Sequence, residues 1–308
     1  MSDADTPDFS RTPLTEISDD VLLAHDIRLQ VLRLDLADPA LGGNKWFKLQ
    51  RNLALAKTQG ADTLLSFGGA YSNHLYALAE AGFRYGFRTI GVIRGELSEP
   101  LNPTLRYVQS RGMQLIPVSR SDYRRRDEPG FADELLGGRR KGVMVIPEGG
   151  ANLPGVQGCH VLAHLLAERV ADPDGVEVCL ACGTGTTMAG LLAGLQHTRC
   201  FVRGYSVLKG GDFLREEITG WLQLQGADIS PQRWAIETDY HFGGYARRPP
   251  QLSEFIRQFE AQHDIPLEPV YTGKLMAAVY QRICADLYPP GSRLVVMHTG
   301  GLQARPAD

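Results

Sequence analysis

Cysteine is sparse in this sequence, neither sign of charge is in excess, and no apolar run is long enough to cross a bilayer. Each shortage excludes something. The five cysteines, Cys159, Cys179, Cys182, Cys200 and Cys284, are scattered and odd in number, which argues against a disulfide frame and fits a reducing compartment. Cys179 and Cys182 have the spacing of a redox pair, but they sit on the apolar run Val176 to Ala181, which reads as a buried strand. Small buried hydrophobes are their expected role. The 32 basic and 35 acidic residues leave a formal charge of −3, without the basic excess that nucleic acid or an anionic membrane would select. Small molecules are the expected partners. No hydrophobic stretch approaches the roughly 20 residues of a spanning helix, and Met1-Ser2-Asp3-Ala4-Asp5-Thr6 lacks the basic and then apolar pattern of a secretory leader. A cytoplasmic location is the expectation. No internal repeat or low-complexity linker breaks the chain, and no metal site is expected.

What is present is material for a full core: 308 residues, 43% hydrophobic and 22% charged, enough for two domains or one large one. After a mixed lead-in over residues 7–28, strand and helix patterns alternate. Strands are predicted at Leu29–Leu36, Thr63–Phe67, Thr89–Arg94, Gln114–Val118, Val143–Ile146, Val176–Ala181, Cys200–Ser206, Trp234–Thr238 and Arg293–Met297. Helices are predicted from Lys45, from Asn73 to about Tyr85, from Pro103 to Gly112, and over Val156–Val170, Thr187–Leu195, Phe213–Leu224, Leu252–Ala261 and Leu275–Leu287. Strands separated by helix-length segments imply parallel pairing with covering helices, an open-sheet α/β fold. The charged run Tyr123 to Glu128 interrupts this rhythm and reads as a solvated surface loop. In such sheets ligands collect at the carboxyl ends of the strands.

The loops at those ends are unusually rich. In Leu41-Gly42-Gly43-Asn44-Lys45, two glycines permit a tight turn and close approach, and Asn44 is a local cap for the helix that follows. Lys45 thereby stands at a helix mouth, where the positive dipole end disfavours its protonated form. In Ser66-Phe67-Gly68-Gly69-Ala70-Tyr71-Ser72-Asn73-His74, backbone amides at a helix start can hold a carboxylate, with Ser72 and Asn73 adding side-chain hydrogen bonds. Ordinary capping would explain one such polar residue, but not four in a row. In Gly183-Thr184-Gly185-Thr186-Thr187, amides and three hydroxyls make a phosphate cradle without the lysine of a nucleoside-triphosphate loop. Pro147 to Gly155 is a third glycine-rich loop, in which Glu148 reads equally well as structural. A helix-mouth lysine, a carboxylate-holding loop and a phosphate cradle together describe a pyridoxal phosphate enzyme acting on an amino acid.

With Pro269-Val270-Tyr271-Thr272-Gly273-Lys274, these motifs resemble those of the 1-aminocyclopropane-1-carboxylate deaminase and D-cysteine desulfhydrase family. The likeness runs from about Pro13 to Leu302. It implies the tryptophan-synthase-β-like fold: two open, twisted, mostly parallel sheets with flanking helices. Residues 1–49 and 151–308 would form the larger, cofactor-binding domain and 50–150 the smaller. It also implies a homodimer, and it assigns roles. Lys45 would be the Schiff-base lysine that moves the substrate proton, and Asn73 would bond the cofactor's ring oxygen. Gly183, Thr184, Gly185, Thr186 and Thr187 would hold the phosphate. Ser72 would meet the substrate as carboxylate partner or nucleophile, with Asn73 and His74 beside it. Tyr271 would lie on the cofactor ring, and Tyr245, in His241-Phe242-Gly243-Gly244-Tyr245, would be a second such tyrosine; core packing is the plainer alternative for both.

Thr272 and Thr299 resemble the desulfhydrase pattern, where the cyclopropane deaminases carry glutamate and leucine. A glutamate near the pyridine nitrogen stabilises its proton and strengthens the ring as an electron sink, whereas a threonine leaves it neutral. The reading is therefore α,β-elimination of a D-cysteine-like substrate to pyruvate, ammonia and hydrogen sulfide. A cyclopropane deaminase, or another pyridoxal lyase or racemase of this fold, shares most of the motifs. A metabolite sensor that has kept the fold is a further alternative, against which the intact Lys45 argues. Arg33-Leu34-Asp35 keeps part of the family's charged approach to the lysine.

Overall fold

The computed structural model describes residues 6–138, 140–170 and 172–304. Its strands are β1 (Leu14–Ile17), β2 (Arg28–Arg33), β3 (Thr63–Gly68), β4 (Arg88–Arg94), β5 (Gln114–Val118), β6 (Val143–Ile146), β7 (Val176–Cys182), β8 (Phe201–Ser206), β9 (Trp234–Glu237) and β10 (Arg293–His298). They form two sheets, one of six strands in the order β1-β2-β10-β7-β8-β9 and one of four in the order β5-β4-β3-β6. Every pairing is parallel except β1 with β2. This is the α/β architecture of two mostly parallel sheets that the resemblance implies. Central parallel strands are covered on both faces, so they read as continuous apolar runs; all six residues of β3 are buried.

The chain divides into two compact units. One contains Lys45–Gly158, and the other contains Asp8–Asn44 with the chain from Cys159 onward. The first holds the four-stranded sheet, with Leu65, Phe67, Ile90, Val92, Tyr123 and Phe131 in its core. The second holds the six-stranded sheet, whose core joins Leu29, Val31, Leu294 and Val296 to Leu275, Met276 and Val279 of the helix Thr272–Cys284.

Four local features depart from the sequence pattern. The lead-in contains an antiparallel edge strand, β1, too short to register as a period. β2 stops at Arg33 and curls into a 3-10 turn, Leu34–Leu36. Across this turn the Arg33 guanidinium donates to both carboxylate oxygens of Asp35. The expected helix Val156–Val170 is two helices, Leu153–Gly158 and Val161–Arg169. Gly158 presses so close to the Phe47 carbonyl that a Cβ would stand 1.9 Å from the oxygen, and the chain turns there. Finally, the charged run is not wholly solvated. Tyr123 is buried, edge-on to Phe67 at 6.3 Å between centroids, and Arg126 pairs with Glu148 at 2.9 Å.

Candidate active site

In the Lys45–Gly158 unit, Lys45 lies in the first turn of the helix Asn44–Thr58, with Lys48 buried one turn further on. The Gly68–Asn73 loop leaves the carboxyl end of β3 and enters the helix Asn73–Tyr85. Ser72 is that helix's cap, its Oγ accepting from the Leu75 N–H at 3.2 Å. Gly68 must be a glycine here, since a Cβ would come within 2.6 Å of Ser72 Oγ. Asn102 steadies the loop from β4's side by donating to the Ala70 carbonyl at 3.1 Å. His74 is buried, with its Nε2 2.9 Å from Ser66 Oγ and its Nδ1 left without a hydrogen-bond partner.

Burial lowers the His74 pKa to about 3, and the positive charges of Lys45 and Lys48 push in the same direction. The imidazole is thus neutral at working pH. This has a signed consequence, because the unfolded histidine titrates near 6.5. Above that value neither state is charged and the full stability is present. As pH falls from 6.5 towards 3 the unfolded chain takes up a proton that the folded one refuses, and stability is lost. Urea unfolding at pH 7 and pH 4.5 should show a loss of about 2–3 kcal/mol from this group, absent in His74→Gln; an unchanged difference in the variant would refute the assignment.

The other unit carries the threonine-rich loop. β7 ends at Cys182, and Gly183-Thr184-Gly185 leads into the helix Thr186–Gly194. Gly185, at φ +70°, occupies the cap position and makes no side-chain capping bond to the first N–H groups of that helix. The Thr184 and Thr186 hydroxyls are 2.9 Å apart. Asn44 is buried, and its Nδ2 donates to Thr187 Oγ1 at 2.9 Å. Gly43, at φ +86°, lets this turn lie on the loop after β10, where a Cβ would stand 2.1 Å from the Thr299 carbonyl oxygen. The Asn44 N–H donates to that oxygen at 3.3 Å.

Tyr271 and Thr272 sit at the start of the helix Thr272–Cys284. The Tyr271 ring packs against Gly183, where a Cβ would be 3.4 Å from both Cε1 and the hydroxyl oxygen. Tyr245 meets Tyr271 edge to face, with centroids 6.2 Å apart. The unit thus brings together the cradle, Tyr245, Tyr271, Thr272 and, through Asn44, Thr299.

Several residues at these loops carry no role in the sequence reading. Glu268 is fully buried and accepts the backbone N–H groups of Tyr271 (2.5 Å) and Thr272 (2.7 Å) on one oxygen and that of Val270 (2.8 Å) on the other. Thr272 Oγ1 returns the favour by accepting the Glu268 N–H at 2.9 Å. Burial raises the Glu268 pKa, against the three donors, which favour the carboxylate. Lys274 is buried two residues into the helix, and its Nζ donates to the Gly244 carbonyl at 2.6 Å. Burial lowers its pKa to about 8, while the Glu268 charge pulls the other way. His298 is buried at the end of β10, with Nδ1 2.9 Å from Asp35 and Nε2 2.7 Å from the Pro266 carbonyl. A lone charge on an otherwise apolar helical face, as at Lys274, is the kind of signal that could have marked it. His298 leaves no such trace.

A family model described as pyridoxal-phosphate dependent enzyme matches residues 6–300. The chain belongs to that family. A bifunctional D-cysteine desulfhydrase/1-aminocyclopropane-1-carboxylate deaminase of Arabidopsis thaliana is 28% identical over 297 residues, covering 91% of this chain and 74% of that protein. A D-cysteine desulfhydrase of Salmonella choleraesuis is 28% identical over 295 residues, covering 90% and 87%. The crystal structure of a homologue of 1-aminocyclopropane-1-carboxylate deaminase superposes with a TM-score of 0.81 at 25% identity, over 95% of this chain and 90% of that one.

The residues of this pyridoxal enzyme fit its cofactor. A helix start capped only by glycine, ringed by buried hydroxyls, suits a phosphate. A glycine-backed tyrosine suits an aromatic ring, and the orphaned Nδ1 of a neutral buried histidine suits a polar ligand. Among the described residues no helix is long and apolar enough to cross a membrane.

Proposed function

We propose that this pyridoxal enzyme eliminates the β-substituent of a small amino acid, with D-cysteine as the leading substrate. Its elimination and hydrolysis consume one water and yield pyruvate, ammonia and hydrogen sulfide. The observation that carries the reading is Thr272. The position after Tyr271 holds a hydroxyl that accepts a backbone N–H, and the nearby Glu268 carboxylate is committed to three backbone N–H groups. That carboxylate is thereby engaged by the backbone rather than offered to a proton on the cofactor's ring nitrogen. Bound pyridoxal phosphate supplies an electron-withdrawing ring that stabilises charge left at the α-carbon. A ring without that proton is a weaker sink, which suffices when the departing thiolate takes the electron pair and suits an unactivated cyclopropane poorly.

The chain's own residues divide the work. Gly183 to Thr187 hold the phosphate and Asn73 the ring oxygen. Ser72, Asn73 and His74 orient the substrate carboxylate, His74 as a neutral donor. Tyr271 and Tyr245 flank the ring and exclude water. Lys45 Nζ removes the α-proton; the Cβ–S bond then breaks and the sulfur leaves with the electron pair. Thr299 borders the substrate. The D-cysteine desulfhydrase names of the Salmonella and Arabidopsis relatives support the same substrate. A cytoplasmic homodimer belongs to this reading, and light scattering tests the oligomer.

The deciding assay is pyruvate release by the purified protein from D-cysteine, L-cysteine and 1-aminocyclopropane-1-carboxylate. Turnover of D-cysteine with little or none of the cyclopropane is expected, and Thr272→Glu should lower the elimination rate. Turnover of the cyclopropane with D-cysteine untouched would overturn the proposal.

A further inference from the structure

The segment that presents Tyr245 is held in unfavourable backbone. Phe242 (φ +52°), Gly243 (+90°), Gly244 (+111°) and Ala246 (+57°) all occupy the left-handed side of conformational space. For the two that are not glycine this backbone is strained, and such strain persists only where surrounding structure over-determines it. Within the turn, the His241 carbonyl accepts the Gly244 N–H at 3.0 Å and His241 Nδ1 accepts the Gly243 N–H at 3.0 Å. These bonds shape the turn but do not anchor it. A tie from another element is added to these: Lys274, thirty residues on, delivers its buried ammonium to the Gly244 carbonyl, which also accepts the Arg247 N–H at 3.1 Å and belongs to the peptide unit that joins Gly244 to Tyr245.

A buried ammonium is costly unless it is paired, and its placement is informative. Lys274 shares a helix start with Tyr271 and Thr272, and it faces the field of Glu268, whose carboxylate organises the same turn. Tyr271 is therefore aimed by Glu268, and Tyr245 by Lys274, from one helix end. Their rings meet edge to face at 6.2 Å. An apolar side chain at position 274 would fill the volume equally well, but it would leave the Gly244 carbonyl without its charged donor and the strained turn free to relax.

We infer that Lys274 is a positioning residue: its bond to the Gly244 carbonyl holds the Phe242–Ala246 turn in its strained form and so sets Tyr245 against Tyr271. The catalytic part of this inference rests on the proposed reading of Tyr245 as a wall of the substrate site; the structural part does not.

The test is Lys274→Met in the full-length holoenzyme, read first by hydrogen exchange of the segment 239–248. Exchange there should rise about tenfold or more while the helix Thr272–Cys284 keeps its protection. The second readout is a double-mutant cycle with Tyr245→Ala on kcat and KM for D-cysteine. K274M alone should lower kcat about tenfold with a smaller change in KM, and should change neither by more than about twofold when Tyr245 is already gone. Unaltered exchange in the turn, or equal losses in both backgrounds, would overturn the inference. If K274M does not fold, K274M/E268Q removes both buried charges together, and the exchange of the turn must still rise; failure of both to fold would assign Lys274 to folding and sink the positioning role. If the protein turns over no D-cysteine at all, the exchange result still decides the structural claim, so the two failures are distinguishable.

Discussion

Lys45→Ala abolishes turnover, with an expected loss of at least about 10⁴-fold in kcat. A positioned general base alone contributes about 10²–10⁴, and the same amine is the proposed covalent anchor of the cofactor, so two roles vanish together. Lys48 supplies the control. It is buried one turn along the same helix, and its charge reaches His74 as that of Lys45 does, yet it does not follow the two-glycine turn that brings Asn44 to Thr187. Lys48→Ala should keep the visible absorption of covalently held cofactor, and Lys45→Ala should lose it. Covalent cofactor persisting in Lys45→Ala would move the role to Lys48 and undo the assignment.

Asp35→Ala should be among the most destabilising single changes outside the chemistry. Its carboxylate is buried, bonded by Arg33 at 2.9 and 2.7 Å and by His298 at 2.9 Å. Burial alone would raise its pKa, but the hydrogen bonds and charges of His298 and Arg33 outweigh that and hold it at about 2. Removing one partner of such a buried set strands the Arg33 charge, at a cost of about 3–5 kcal/mol. For a chain of this size that corresponds to a fall in Tm of roughly 10 °C. The sign with pH follows from the lowered pKa: the contribution is complete above about 3.9, the unfolded value, and is lost as pH falls towards 2. Thermal unfolding at pH 7 measures the first claim, and a loss below about 1 kcal/mol would show that the network stabilises little. Activity should fall as well, because His298 adjoins Thr299, whose carbonyl receives the Asn44 N–H.

These two residues mark the division between what is written locally and what is not. Lys45 is legible because its chemistry depends on its neighbours in sequence: two glycines, a cap and a helical period. The same holds for Ser72, Asn73 and the threonine loop, where a buried apolar strand stops and a helix starts within a few residues. The alternation of strands and helices is readable for the same reason, since covered parallel strands are continuous apolar runs bounded by glycine. Where local pattern is weak the reading blurs, as at the short edge strand β1 and at the break after Gly158, where the Phe47 carbonyl occupies the space a Cβ would need.

The sequence by itself determined the fold class and the cofactor, and it nominated the loops proposed to serve that cofactor, because each is encoded in residues that are contiguous along the chain. Only the tertiary structure decided that Asn44 bonds Thr187, that Glu268 is committed to the backbone of Val270 to Thr272, that Lys274 grips the Gly244 carbonyl, and that Asp35 is shared by Arg33 and His298. These pairs lie up to 263 residues apart, as for Asp35 and His298. A polar side chain announces that it needs a partner when buried, but which partner meets it is set by how strands order in a sheet, and no period along the chain carries that information.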